Sequence, residues 1–229
     1  FGPSFLLTGM VSKVNGGFVL APHIAGNTQI AFLDDNGVLH NNSPANIEIL
    51  RPQEQAKLDG STFFNTGSVA HELKFGAGYR EAEQTSLSQT IGGAFEQGVG
   101  DDTSLYILAR DSRVNVSTDY TNLYVQDTLS MGNLTANVGV RYDKQGGENL
   151  ATQAAANRFR PDLLPAVSFA GSDAGFEWES INPRLGVTYA LGESRSTLLR
   201  ASYSQYADQL ATGIAGQLHT LGLQGYAYF

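Results

Sequence analysis

The sequence predicts an all-β fold, in the form of an antiparallel segment of a transmembrane β-barrel. Several stretches alternate between apolar and polar residues, and the connections between these stretches are alternately short and long. There is no run of about 18 apolar residues, the length that a transmembrane helix needs. The 26 Gly, 10 Tyr and 12 Phe among the 229 residues are also typical of β-rich chains.

The clearest strand covers residues 69–80. A period of two over this length predicts one apolar and one polar face. The apolar parity holds Val69, Leu73, Phe75, Ala77 and Tyr79, and the polar parity holds Glu72, Lys74, Arg80 and two glycines. A polar face that pairs charges with glycines suits a barrel wall that faces a wet lumen.

The same alternation predicts strands at 134–143, 184–191 and 197–204. Residues 105–118 and 123–129 form a long return strand, either continuous or interrupted between the two stretches. A strand at 61–65 precedes the clearest one.

The first 60 residues give a weaker pattern. Strands are predicted at 5–14, 17–24 and 29–33, with turns at 15–17 and 34–37, where Asn, Asp and Gly cluster. Residues 34–60 are predicted as a loop with an irregular strand at 47–50.

The connections predict an orientation. Short turns are predicted at 66–68, 131–133 and 192–195, and long loops at 81–102 and 144–180. Outer-membrane barrels have short periplasmic turns and long external loops. Tyr79 and Tyr142 should then lie near the outer rim, and Asp127 should lie below the membrane band, beside a periplasmic turn.

Charged residues on the polar parity form the candidate site. An Arg or Lys that points into lipid at the midplane costs about 2–4 kcal/mol, so these side chains should face the lumen. They either line a substrate path, hold a plug by ion pairs, or simply pair across adjacent strands. The candidate lumen-facing wall consists of Glu72, Lys74, Arg80, Arg141, Asp143, Arg184 and Arg200.

Other chemistry is not supported by the sequence. A formal charge of -8 argues against nucleic acid as a partner, and the absence of Cys excludes thiolate metal sites. His71-Glu72 lacks the second His of a zinc-protease motif. Asp34, Asp35 and Asn36 match no calcium loop and are interpreted as a polar turn. No enzymatic activity, cofactor or metal is predicted, and Trp178 with Phe176 is expected to pack a loop or stack a ligand.

Several segments resemble the Oar-type TonB-dependent receptors, in order and spacing, over roughly residues 68–210. The pieces Y-x-Q-D and G-x-R-Y-D are shared widely among TonB-dependent receptors, whereas H-E-L-K-F-G and N-P-R-L-G are more particular to the Oar-like group. The matching segments are residues 71–76, 124–128, 134–143, 182–189 and 199–203.

The resemblance implies a barrel of about 22 strands in the bacterial outer membrane, closed by a plug and energised through the TonB system. It implies contact with outer-membrane lipid and with an unidentified extracellular substrate. Residues 1–229 are expected to be an interior part of one barrel domain, with the plug and N-terminal domains outside this sequence.

Two alternatives remain open at this point. The chain could form a small self-contained outer-membrane barrel of roughly 8–10 strands, with an adhesin or structural role. It could instead form a soluble β-sandwich binding module, in which the faces that carry Val138 and Leu185 pack onto each other.

Overall fold

A computed structural model describes residues 4–24, 26–101, 103–217, 219, 221 and 225–228. Most of these residues lie in β-strands. The elements in chain order are β1 (Phe5–Leu20), β2 (Ala31–Leu33), β3 (Leu39–His40), β4 (Ala45–Thr66), β5 (Val69–Thr90), a 3-10 turn (Ile91–Gly93), β6 (Ala94–Gly98), β7 (Ser104–Ala109), β8 (Ser112–Met131), β9 (Leu134–Asn149), β10 (Thr152–Ala154), β11 (Val167–Phe169), β12 (Ser172–Asp173), β13 (Trp178–Leu191), β14 (Thr197–Ser204), α1 (Thr212–Gly216) and β15 (Tyr226–Tyr228).

Seven strands form one antiparallel sheet in the order β1-β4-β5-β8-β9-β13-β14, and β12 adds to β9. Three hairpins within it turn through Gly67, Gly132 and Gly192, whose φ angles are 61°, 56° and 67°. Glycine adopts such positive angles without steric cost. All three turns lie at one end of the sheet, and the longer connections lie at the other. The predicted all-β fold and its alternation of short turns and long loops are therefore confirmed.

The long strands extend further than the sequence predicted. Residues 81–90 belong to β5 and residues 144–149 to β9, whereas both were predicted as loops. The extensions are polar on both faces, as in Glu83, Gln84, Thr85 and Ser86. Polar residues on both faces leave no hydrophobic alternation to detect, although the backbone pairing continues from β5 to β8 up to Ser88 and Ser112.

The predicted turn at residues 15–17 is wrong. β1 runs without interruption and pairs with β4 from Phe5 to Leu20. A side chain at Gly17 would place a Cβ 2.6 Å from the carbonyl oxygen of Ile49. Gly17 therefore permits a close approach of two strands and does not mark a turn.

The predicted loop at 34–60 is correct only in its first part. The turn at 34–37 is present, with Gly37 at a φ of 77°, but β4 begins at Ala45. Pro52 lies inside this strand. Pairing to β5 is interrupted at Arg51 and Pro52 and resumes at Gln53 in the same register. The strand thus accommodates a residue that cannot donate a ladder hydrogen bond.

The predicted return strand at 105–129 is two strands in different sheets. β7 ends at Ala109 and β8 begins at Ser112, after which β8 continues through residues 119–122 without a break. β7 belongs to a second sheet with the order β15-β7-β6-β2-β3, in which only β2 and β6 pair in parallel.

The second sheet brings the long connections together at one end of the main sheet. Ala94, Leu108 and Leu164 form a small core beneath it. Asn157 is buried there, and its amide donates to the carbonyl oxygens of Gly93 and Ala109, both at 2.7 Å. These contacts join three connections that are distant in sequence. Within the described residues, no helix has the length and hydropathy to cross a membrane.

Candidate functional site on the polar face of the sheet

The strand register aligns the polar parities of neighbouring strands on one face of the main sheet. Lys74 lies opposite Gln126, Gln126 opposite Gly139, and Gly139 opposite Arg184. We call this surface the polar face and the opposite surface the apolar face. All seven predicted wall residues lie on the polar face, because side chains alternate strictly along each strand.

A buried hydrogen-bond network lies at the centre of the polar face. Arg141 donates from Nε to Oδ1 of Asp143 at 2.7 Å and from Nη2 to the hydroxyl of Tyr120 at 2.5 Å. The Tyr120 hydroxyl donates to the same carboxylate, and Asn182 donates to Oδ2 of Asp143 at 2.7 Å. Asp143 and Asn182 are only 3% and 1% exposed. A carboxylate that is buried so deeply requires these charge-assisted bonds, so the network fixes the orientation of Arg141.

A second cluster lies beside it on β4, β5 and β8. The Tyr124 hydroxyl donates to Oδ1 of Asp59 at 2.6 Å, and Lys57 lies 2.8 Å from Oδ2. A Cβ on Gly76 would lie 2.5 Å from the Tyr124 ring and 2.8 Å from the Asp59 carboxylate. Gly76 therefore provides the space that the Tyr124 side chain occupies. Gly78 likewise makes room for Asn122, because a Cβ there would lie 2.6 Å from the side-chain amide nitrogen of Asn122.

The structure brings only some predicted wall residues together. Glu72 and Lys74 pair with each other at 2.8 Å, close to the hairpin turns. Arg80 lies over the ring of Tyr120, 5.5 Å from its centroid, and so joins Arg141 and Asp143. Arg184 lies apart, 5.1 Å from the centroid of Tyr206.

Arg200 lies on exposed β14, and its side chain forms no ion pair with any of the described residues. Sequence reasoning missed Tyr120 and Asn182, which complete the central network. The sequence pattern could have identified both, because each lies on the polar side of its strand and opposite a predicted wall residue of a neighbouring strand.

The chain that follows β14 folds back over the polar face. The side-chain amide of Gln145 donates to the Asp208 carbonyl at 2.7 Å and accepts from the Leu210 amide at 2.8 Å. Further along, the hydroxyl of Thr212 donates to Gln84 of β5 at 2.8 Å. We call residues 205–217 the covering segment. No pattern in the sequence predicts it.

Close packing supplements these hydrogen bonds. Ala215 of α1 is fully buried and forms a small core with Val116 and Ala174. A Cβ at Gly147 would lie 3.4 Å from the Cβ of Ala215, so the helix contacts β9 almost directly. The covering segment is therefore anchored to β5, β8 and β9.

The apolar face of the main sheet is largely uncovered. Val138 and Leu185 are 51% and 47% exposed, and they lie opposite each other in neighbouring strands of the same sheet. On β9, every second residue from Leu134 to Tyr142 faces this side and is apolar. The next residue on the same face is Lys144, which forms an ion pair with Glu177 at 2.8 Å. Charged residues thus mark one border of the apolar band.

The other border carries a contact between a histidine and an aspartate. His71 Nδ1 lies 2.7 Å from Oδ2 of Asp127, and the His71 ring stacks on Phe64 at 4.6 Å. Both strands reach a hairpin turn a few residues further on, at Gly67 and Gly132. Asp127 therefore lies toward the hairpin end of the sheet, and its carboxylate contacts His71 of the neighbouring strand β5.

The residues that were considered for calcium binding or ligand stacking contact residues close to them in the sequence. Asp34 accepts hydrogen bonds from the amides of Asn36 and Val38 at 2.9 and 2.8 Å and contacts His40 at 2.8 Å. The hydrogen bond with His40 is the main reason that the pKa of Asp34 is lowered. Trp178 and Phe176 pack against each other with centroids 5.7 Å apart. Within the described part of the chain, no group of three His, Cys, Asp or Glu side chains could hold a metal ion.

Comparison with known proteins agrees with this geometry. The family model described as TonB dependent receptor-like, beta-barrel matches residues 13–227. No curated protein matches the chain.

Proposed function

Because the chain belongs to the TonB-dependent receptor β-barrel family, we propose that it forms part of the wall of an energised outer-membrane transporter. The family resides in the bacterial outer membrane and consists of transporters, not enzymes. In this proposal the apolar face contacts lipid and the polar face lines the lumen. The hairpin turns lie on the periplasmic side, and the second sheet lies outside the cell.

The exposed apolar face carries this proposal. Val138, Val140 and Leu185 have no covering layer among the described residues. Apolar residues alternate with polar ones and glycine on β9 from Leu134 to Tyr142, a length that matches the roughly 9–11 residues that a tilted strand needs to cross a bilayer. Water would penalise such a surface, whereas lipid would not.

The two alternatives receive less support. The sandwich reading needs the faces of Val138 and Leu185 to pack onto each other, but the two residues are cross-strand neighbours on one face. The small-barrel reading needs β1 to pair with β14, and these strands form the two edges of the sheet over the described residues. An unpaired edge is unfavourable in lipid. A larger barrel of about 22 strands would pair both edges.

The finer assignment rests on the Oar-like segments. The pieces at residues 71–76 and 182–186 support an Oar-type receptor, with a plug and the TonB system as partners. The second sheet and its loops would contact the extracellular substrate, and the charged residues of the polar face would line its path.

Site-directed spin labelling of the full-length receptor in lipid vesicles tests the orientation. Labels at Val138 and Val140 should be accessible to oxygen, which partitions into lipid, and a label at Asn137 should be accessible to a water-soluble nickel chelate. Asn137 is the matched control because it adjoins Val138 on the opposite face. The reverse pattern would contradict the assignment of the two faces.

A comparison of spent growth media tests transport. Cells that lack the receptor and cells that lack TonB should leave the same solute in the medium that wild-type cells deplete. A solute that only the TonB-deficient cells leave behind would belong to another receptor. If the receptor-deficient cells deplete every solute normally, uptake is not its function.

A further inference from the structure

The two faces of the main sheet have opposite charge balances, and the polar face is basic although the whole chain is acidic. The formal charge of the chain is -8. On the polar face of the long strands, basic residues outnumber acidic ones. The basic residues are Arg51, Lys57, Lys74, Arg80, Arg141, Arg184 and Arg200, and the acidic ones are Asp59, Glu72 and Asp143.

The apolar face has the opposite balance. Its acidic residues are Glu48, Glu54, Glu81, Glu83, Asp119, Asp127, Glu148 and Glu179, against the basic residues Lys13, Arg113 and Lys144. The side chains of one strand alternate between the faces, so this separation follows from the register of the sheet. The excess of basic groups is therefore confined to the surface that we assign to the lumen.

Several of these arginines have no carboxylate partner among the described residues. The acidic groups of the polar face are already engaged: Asp143 binds Arg141, Asp59 binds Lys57, and Glu72 binds Lys74. Arg80 and Arg184 contact only aromatic rings. The Nε atom of Arg184 is buried and has no hydrogen-bond partner in the described structure.

Arg184 and Arg200 lie on the same face of two neighbouring strands, with the Gly186–Ser202 pair between them in the register. Arg184 lies opposite Ser204, Gly186 lies opposite Ser202, and Thr188 lies opposite Arg200. Gly186 adds no side chain between the two arginines, and a Cβ there would meet only ordinary contacts at 3.7 Å. Each guanidinium group can bind a carboxylate or phosphate group through paired hydrogen bonds.

We propose that the lumen wall selects anionic solutes that carry carboxylate or phosphate groups, with Arg184 and Arg200 as specificity-determining residues. This inference rests on the proposed function. A positive surface in a narrow, low-dielectric channel raises the local concentration of anions and lowers that of cations. The acidic residues of the apolar face lie on the other side of the sheet, outside the proposed lumen, so they are farther than the arginines from a solute inside it.

Charged thiol reagents measure the potential at this position. The chain has no Cys, so a single Ser202→Cys substitution places one thiol between Arg184 and Arg200, provided that the remainder of the full-length receptor is also free of exposed thiols. Sulfonatoethyl methanethiosulfonate is anionic, and the trimethylammonioethyl reagent is cationic and similar in size. Relative to free cysteine, the thiol at 202 should react about fivefold faster with the anionic reagent than with the cationic one in moderate salt.

Two sets of variants make the result specific. Arg184→Gln and Arg200→Gln should each reduce the preference for the anionic reagent, and the double variant should abolish it. Thr85→Cys on the apolar parity, near Glu83, should prefer the cationic reagent. Equal rates for both reagents at 202, or a cationic preference, would overturn the proposal and would favour neutralisation of the arginines by plug carboxylates. Protection of Ser202→Cys from both reagents would also overturn it, because a solute could not reach the arginines.

A Val138→Cys variant separates this proposal from the proposed function. If the sheet spans the membrane, the thiol at 138 should resist both reagents whatever happens at 202. Reaction at 138 would contradict the membrane assignment, whereas protection at 138 without anionic preference at 202 would contradict the anion proposal alone.

Discussion

At the residue scale, the polar face depends on pairs of small and large side chains. Gly76 and Gly78 each lie beside a bulky polar neighbour, Tyr124 and Asn122 respectively. The hydroxyl of Tyr124 reaches Asp59 only because its ring lies over Gly76. A glycine that weakens an isolated strand by backbone entropy here allows a cross-strand hydrogen bond.

Gly76→Ala should therefore destabilise the sheet. The new Cβ would lie 2.5 Å from the Tyr124 ring and 2.8 Å from the Leu58 carbonyl oxygen, so both a side chain and the backbone must move. We expect a loss of about 1–3 kcal/mol in the free energy of unfolding, the usual cost of overpacking. Urea unfolding of the receptor in vesicles measures it. Gly186→Ala is the matched control, because its Cβ would meet only ordinary contacts at 3.7 Å, and an equal loss at both positions would contradict the explanation.

The turn at Asp34 should be sensitive to acid. The folded-state pKa of Asp34 is lowered chiefly by its hydrogen bond with His40 and also by the Val38 amide. The stabilisation is thus present above the ordinary carboxyl pKa and is lost as the pH falls through the lowered value. The amide signals of Asn36 and Val38 should shift in that acidic range in NMR spectra. In Asp34→Asn the transition should disappear, and a transition that persists would assign it to another group.

At the scale of elements, the covering segment is the part of the structure that the strand pattern did not foresee. It follows β14 and crosses the polar face, where it is held by Gln145, Gln84 and the contact of α1 with β9. His219, just beyond it, lies 4.5 Å from the ring of Phe169, and burial lowers its pKa. In the proposed barrel, this segment would narrow the lumen at its outer end and link it to the second sheet.

An engineered disulfide tests the position of this segment. The Cβ of Ala215 and a Cβ built on Gly147 lie 3.4 Å apart, close to the separation that a disulfide needs. Gly147→Cys with Ala215→Cys should oxidise spontaneously in air and give a faster band on a denaturing gel without reductant. Gly147→Cys with Gly213→Cys is the control, because a Cβ at 213 has no neighbour within 4 Å. If both pairs oxidise equally, the segment does not rest on β9 as described.

At the scale of the whole molecule, the sequence predicted the strands and faces that hydrophobic alternation determines. It did not predict the strand pairings that depend on other contacts. The hairpins at Gly67, Gly132 and Gly192 and the face of every wall charge were predictable, because one side of these strands must be apolar. The upper halves of β5 and β9 are polar on both sides, and the second sheet joins segments that are far apart along the chain. Such pairings depend on tertiary contacts, like those of Asn157, which leave no local pattern.

A charge placed on either face should distinguish lipid from water energetically. Val138 lies in the middle of the apolar stretch of β9, and Asn137 points to the opposite face. Val138→Arg should lower the free energy of unfolding in vesicles by about 2–4 kcal/mol, the cost of an arginine near the bilayer midplane. Asn137→Arg should cost much less, because its side chain can remain hydrated among other polar groups. Equal costs would mean that the two faces meet the same solvent, and the barrel assignment would then fail together with every inference that depends on the lumen.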